Sequence, residues 1–155
     1  MKRLLSLSLL LVISVLVSAA PARPRPEILG ISLDMKREQA LVRLKSIGTL
    51  EREARKLQEV WAVRDARISH LLVGYDADNR VRYVTAIART DGPRIRYHEV
   101  ADLKSAQRSD TPNNHKFTWE IERPRGESFI LIARGRDSQF LDSYSVKKKD
   151  QEEID

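Results

Sequence analysis

The 155-residue chain has no cysteine, two tryptophans, and aromatic residues at only 6%. Each scarcity narrows what the protein can be. Without cysteine there is no disulfide framework, no thiolate ligand for a metal and no thiol nucleophile. The bacterial lipoprotein anchor, attached at a cysteine just after an apolar leader, is excluded too, so no lipid anchor is expected. Glycine is sparse, six in all, and Gly126 and Gly135 stand alone as turn or strand glycines, so no Gly-rich phosphate loop is present.

Hydrophobic residues make up 41% and charged residues 32%, a balance that belongs to soluble globular chains. The length suits one domain, or two halves sharing a core. The first residues differ in kind. Met1-Lys2-Arg3 is a basic start, Leu4 to Val17 is an uncharged run of 14 residues, and Ala20-Pro21-Ala22 offers the small-x-small pattern of a signal peptidase site. The run is short for a membrane span, which needs about 20 apolar residues. Residues 1–22 therefore read as a signal peptide cleaved after Ala22, with Ala20 the alternative. The expected location is the periplasm or the medium. Beyond the leader, 26 basic residues face 22 acidic ones, a net charge of +4. The basic residues are dispersed along an exported chain, so nucleic acid is not an expected partner.

Residues 23–28, "RPRPEI", read as a Pro-rich extended tether. "SLDMKREQALVRLKSIG" carries Met35, Ala40, Leu41, Leu44 and Ile47 at helical spacing, with Ser32 or Asp34 as N-cap and Gly48 as C-cap. "TLEREARKLQ" (Thr49 to Gln58) reads as a second, solvated helical turn in preference to a loop. From Glu59 the period falls to two. "EVWAVR" reads as a strand, and "SHLLVGY" and "RVRYVTAIA" flank a polar turn and form a hairpin. A short strand at Arg94–Tyr97, a helix in "EVADLKSAQ", an exposed loop in "RSDTPNNH", a strand in "KFTWEIE", and a hairpin of "SFILIAR" with "FLDSYSVK" follow. The charged residues 149–155 form a tail.

Much of "VGYDADNRVRYV" returns 59 residues later in "IARGRDSQFLDS". At the same offset Leu44-Lys45-Ser46 falls on Leu103-Lys104-Ser105, Ser69 on Ser128, Leu72 on Leu131 and Asp78 on Asp137. Trp61 falls on Trp119 one residue short of it. The pattern predicts a duplication. The expected fold class is α+β: antiparallel sheet built from two helix-plus-three-strand repeats, 29–89 and 90–148, with helices on one face.

Gly30, Met35, Glu38, Leu41, Leu44 and Gly48, then Trp61, then Tyr75, Asp76, Asp78, Asn79, Val81 and Val84, resemble the helix-then-hairpin unit of the SmpA/OmlA small envelope lipoproteins. In tandem the unit resembles the β-lactamase-inhibitor-protein fold. The resemblance spans Gly30 to Ala88, and reaches the second half only through the internal repeat. It implies a non-catalytic binding fold of the cell envelope. The chain departs from both relatives: it has no lipidated cysteine, no disulfides and few aromatics, so β-lactamase inhibition is not expected.

Chemistry is hard to find in the sequence. His70, His98 and His115 lie on different elements without a carboxylate spaced to complete a metal site. "DADNR" opens like a calcium loop, but Val81 holds the place of the sixth-position glycine and Ile87 that of the terminal glutamate. No serine has a nucleophile-elbow setting. Glu120 and Glu122 share a strand face, as a solvated pair. No enzyme, cofactor or metal is expected. Trp61 and Trp119 read as core, Trp119 sharing its face with Phe117 and Ile121. The opposite, polar face collects the candidate binding residues: His70, Arg82, Thr118, Glu120, Ser143 and Ser145. The expected function is an exported module that docks a protein of the envelope or medium on this face or its adjoining loops. The alternatives are a passive component of envelope assembly, an inhibitor of a secreted enzyme, or an enzyme without recognisable motifs.

Overall fold

The period-two pattern expected from Glu59 onward builds strands, and strands also occupy segments that read as helix or loop. The computed structural model describes residues 23–55, 57–123 and 128–149. The expected signal peptide, most of the "RPRGE" turn and the tail from Asp150 lie outside them.

Among the described residues the fold is mostly β: one eight-stranded antiparallel sheet, a two-stranded hairpin and one short α-helix. The hairpin is β1 (Glu27–Ile28) and β2 (Ile31–Ser32). Its turn residues Leu29 and Gly30 have φ of 50° and 82°, the doubly left-handed turn that matches strand twist. Helix α1 is Arg37–Ile47. The sheet then runs through β3 (Gly48–Arg55), β4 (Gln58–Val63), β5 (Ile68–Tyr75), β6 (Val81–Ala88), β7 (Gln107–Thr111), β8 (Asn114–Ile121), β9 (Phe129–Gly135) and β10 (Ser143–Lys148). Its spatial order is β3-β4-β5-β6-β10-β9-β8-β7. Two successive meanders, β3 to β6 and β7 to β10, thus meet along the β6–β10 seam.

Two helix-plus-three-strand repeats are not what forms. Each half supplies four strands to the large sheet, and among the described residues only the first has an α-helix. "EVADLKSAQ" instead begins at the end of one 3-10 turn, Tyr97–Glu99, and contains a second, Leu103–Ser105. The segment is held by the sheet instead: Arg96 bridges Phe140, Ile95 O accepts from the Leu141 amide, and Asp102 O accepts from Trp119 Nε1. The Leu44–Leu103 correspondence fails with it, since Leu44 is fully buried and Leu103 is exposed. "TLEREAR" is edge strand β3: its charges suit an edge, where both sides of the ribbon meet water. "RSDTPNNH" is the β7–β8 hairpin rather than a loop. Near Arg94–Tyr97 there is an isolated bridge, Arg96 to Phe140, in place of a strand. The tether is shorter than expected, because Glu27 and Ile28 pair in β1 and Ile28 is buried.

Helix α1 has no side-chain N-cap; Lys36 precedes it, and Asp34 sits in the turn before with φ 67°. The β5–β6 turn does the capping work. Asn79 O accepts from the Arg37 amide at 2.8 Å, and Met35 O accepts from the Val81 amide at 2.9 Å. Asp76 Oδ1 in turn accepts from the amides of Asp78 and Arg80, which fixes that turn. Gly48 follows the helix as expected, but in extended conformation. Its need for glycine is close approach: a Cβ would lie 2.2 Å from Ala62 O.

One face of the sheet holds the core. Trp61, Leu71, Val73, Val84, Val146, Leu131, Phe117 and Trp119 form one cluster with Ile28 and Ile31 of the hairpin, Ala40 and Leu44 of α1, and Ile95, Tyr97 and Ala101 of the connection between the meanders. Both tryptophans are core residues, at most 2% exposed, each on the second strand of its meander. Trp119 Nε1 donates to Asp102 O at 2.8 Å and ties the 3-10 turns to β8.

Candidate functional site

With helix, hairpin and connection gathered on the inner face, the outer face is left without a covering layer among the described residues. Cross-strand register lays out its rows. The central row runs Val60, Leu72, Thr85, Ser145, Ile132, Thr118 from β4 to β8. Beside it run Ala62, His70, Ile87, Ser143, Arg134 and Lys116, and on the other flank Gly74, Tyr83, Lys147, Ile130 and Glu120.

Five of the six residues expected from the sequence sit in these rows: His70, Thr118, Glu120, Ser143 and Ser145. They are dispersed rather than clustered. Ile87 separates His70 from Ser143, and Ile132 separates Ser145 from Thr118. Arg82 is not among them. It is the extra residue where the β5–β6 register slips between Gly74 and Tyr75, and it falls out of the outward alternation of Tyr83, Thr85 and Ile87. Parity counting cannot foresee a bulge.

The face is less polar than expected. Val60 is 6% exposed, yet it stands outside the core cluster. Leu72, Ile87, Ile130 and Ile132 are half-buried and likewise do not pack against that cluster. The missed signal was visible in "FILIA" and "HLLVGY". In an antiparallel sheet open to water on one side, strands should alternate; unbroken apolar runs mark strands that are apolar on both faces. Some polar groups of the face have side-chain partners. Thr85 Oγ1 lies 2.8 Å from Ser145 Oγ across the seam, His70 Nε2 lies 3.2 Å from Glu51 Oε1, and Lys149 Nζ donates to Glu120 Oε2 at 2.8 Å. Tyr83 lies over Gly74, where a Cβ would come within 2.1 Å of the ring.

A second constellation escaped sequence reading. Glu59, 2% exposed, is the buried charged residue of the described core. Its Oε1 accepts from Arg37 Nε at 3.1 Å and Nη2 at 2.6 Å, and its Oε2 from Trp61 Nε1 and the Tyr75 hydroxyl, both at 3.0 Å. Burial first, then the Glu59 charge, pushes the Tyr75 phenol well above its ordinary pKa. The hydrogen bond to Glu59 outweighs burial and holds the Arg37 guanidinium above its usual value. With four donors on two oxygens the carboxylate is saturated, and it serves to pin α1 to β4. A cleft of about 450 Å³ opens beside it, lined by Leu41, Lys45, Leu50, Glu53 and Trp61.

Another cleft of about 490 Å³ lies on the inner side near the seam, among Arg67, Ile95, Glu99, Leu131, Tyr144 and Val146. Arg67 bonds Glu99 Oε2 at 2.6 Å and Arg94 O at 3.2 Å. Among the described residues no three of His, Asp and Glu converge as a metal would require, and no helix is long and apolar enough to cross a membrane. No family model matches this chain, and neither does any curated protein or solved structure.

Proposed function

We propose that the chain is an exported, non-catalytic binding module that receives a protein of the cell envelope or medium on the outer face of its sheet. The observation that carries this reading is the second apolar face. The half-buried Leu72, Ile87, Ile130 and Ile132 form a patch around the Thr85–Ser145 hydroxyl pair, on the side with no covering layer among the described residues. Contiguous apolar patches rimmed by polar groups mark interaction surfaces, and Tyr83, His70, Thr118 and Glu120 supply such a rim. The leader-like start supports export, and the likeness of Gly30 to Ala88 to small envelope proteins points the same way.

The same reading takes the two meanders as descendants of one unit whose second copy lost its helix. Supporting it are the bridges Lys36–Arg80 and Arg96–Phe140, whose partners are offset alike, by 60 residues, and the matched strand positions of Trp61 and Trp119.

The test is site-specific photocrosslinking in cells of the producing organism. A photoreactive residue at Thr85 or Ile132 should capture a discrete partner, and one at Val42, exposed on the far side of α1, should not. Capture from Val42 but from neither sheet position would refute the reading.

A further inference from the structure

The sheet ends in two edges of different kinds. β3 is interrupted by register shifts at Leu50/Arg52 and Glu53/Arg55, devices that blunt an edge against pairing. β7 has none. Gln107 to Thr111 pair with β8 in unbroken register, and all five residues are exposed. The sequence of this edge, "QRSDT", is complementary to itself. Laid antiparallel on a second copy, Arg108 meets Asp110, Ser109 meets Ser109 and Asp110 meets Arg108.

We propose that the β7 edge is a self-association surface, on which a second copy of this chain pairs antiparallel about a two-fold axis at Ser109 and joins the two sheets into one. Such an interface is isologous, so each favourable contact occurs twice. Within one chain Arg108 Nε already lies 2.6 Å from Asp110 Oδ2. The two-fold axis sets two such pairs side by side with alternating signs, so every charge gains an opposite neighbour. Main-chain geometry agrees. The hairpin turn is only Pro112-Asn113, which makes Thr111 and Asn114 a hydrogen-bonded pair. Alternation then turns the peptide groups of Ser109 and Gln107 toward β8, and those of Arg108 and Asp110 outward. The outward groups belong to the same residues that face each other in the symmetric pairing. A slip of two residues either way sets Arg108 on Arg108 or Asp110 on Asp110, so charge fixes the register. This inference does not rest on the docking role of the outer face, which stays open in the pair.

The test uses the full chain as purified, which has no cysteine of its own. Directly opposed residues of a non-hydrogen-bonded antiparallel pair have Cα atoms about 4.5 Å apart, within disulfide reach. Ser109→Cys should therefore oxidise to a covalent dimer. Thr111→Cys should not, because it faces Gln107 and lies roughly 13 Å from its own counterpart; mixing it with Gln107→Cys should restore bridging. In sedimentation equilibrium, Arg108→Asp or Asp110→Arg alone should weaken the dimer at least tenfold, and the double swap should recover it. A wild-type chain that stays monomeric at every concentration, or equal bridging at positions 109 and 111, would overturn the proposal.

Discussion

The Arg37 guanidinium holds Glu59 Oε1 through two nitrogens, at 3.1 and 2.6 Å, and so fastens the first turn of α1 to the second strand of the sheet. Trp61 and Tyr75 take the other carboxylate oxygen, leaving Glu59 with no partner to spare. Replacing Arg37 by Met strands a carboxylate that is 2% exposed. Breaking a buried pair costs about 3–5 kcal/mol. The Arg37 side chain is 29% exposed, so the low end applies. At roughly 2–4 °C per kcal/mol, Tm should fall by on the order of 10 °C. The double variant Arg37→Met with Glu59→Gln should regain part of that loss, which differential scanning calorimetry measures directly.

Alkaline pH should unfold the protein by way of its buried phenols. Burial, then the Glu59 charge, raises the Tyr75 pKa. Burial, then Asp142 and Asp137, pushes Tyr97 up to about 12. A group whose folded pKa exceeds its unfolded value of 10.0 contributes stability that is complete below that pH and fades as pH rises through the folded value. Urea midpoints should therefore hold steady up to pH 9 and drop between pH 10 and 12, and Tyr75→Phe should flatten the slope. The phenolate absorbance of the native protein should lag behind that of the urea-unfolded chain.

Gly74 and Tyr83 face each other across β5 and β6, with the ring occupying the space of a Cβ. Gly74→Ala should cost about 1–3 kcal/mol through forced displacement of the ring. Tyr83→Ala in the same chain should relieve most of it. A double-mutant cycle by urea unfolding would detect the coupling; additive losses would mean that the ring is not what excludes the methyl.

Strand periodicity from Glu59 onward, the β5–β6 hairpin, helix α1 and the burial of both tryptophans were legible in the sequence, because each rests on local spacing of apolar residues. What was not legible depends on distant partners. β3 is a strand because Gly48 lets the backbone pass close to Ala62, and no pattern in "TLEREAR" announces that. The second helix does not form in "EVADLKSAQ", whose backbone is tied to distant strands instead, as where Asp102 O accepts from Trp119 Nε1. Glu59 reads as one more charge among 22 acidic residues until Arg37, Trp61 and Tyr75 converge on it. The outer face was found by parity, yet its apolar character was overlooked, because "FILIA" was read for one face rather than both.

If a protein partner sits on the outer face, changes there should separate binding from folding. Ile132 is half-buried in the central row, between Ser145 and Thr118. Ile132→Arg puts a charge into the apolar patch and should weaken capture at least tenfold, or about 1.4 kcal/mol. Its unfolding transition should move little, since Ile132 does not pack against the core cluster. Glu120→Lys lies at the rim, beside Lys149, and should weaken binding modestly, with a changed dependence on salt. Arg82→Glu, at the bulge and off the outward rows, should leave capture unchanged. Trp119→Ala should cost about 3–5 kcal/mol of stability and lose the partner only as far as it loses the fold. Thermal unfolding and capture by the crosslinked partner, measured on the same preparations, distinguish these four outcomes. A folded Ile132→Arg protein with undiminished capture would place the partner elsewhere, and a Trp119→Ala protein that folds but no longer binds would make that tryptophan part of the interface.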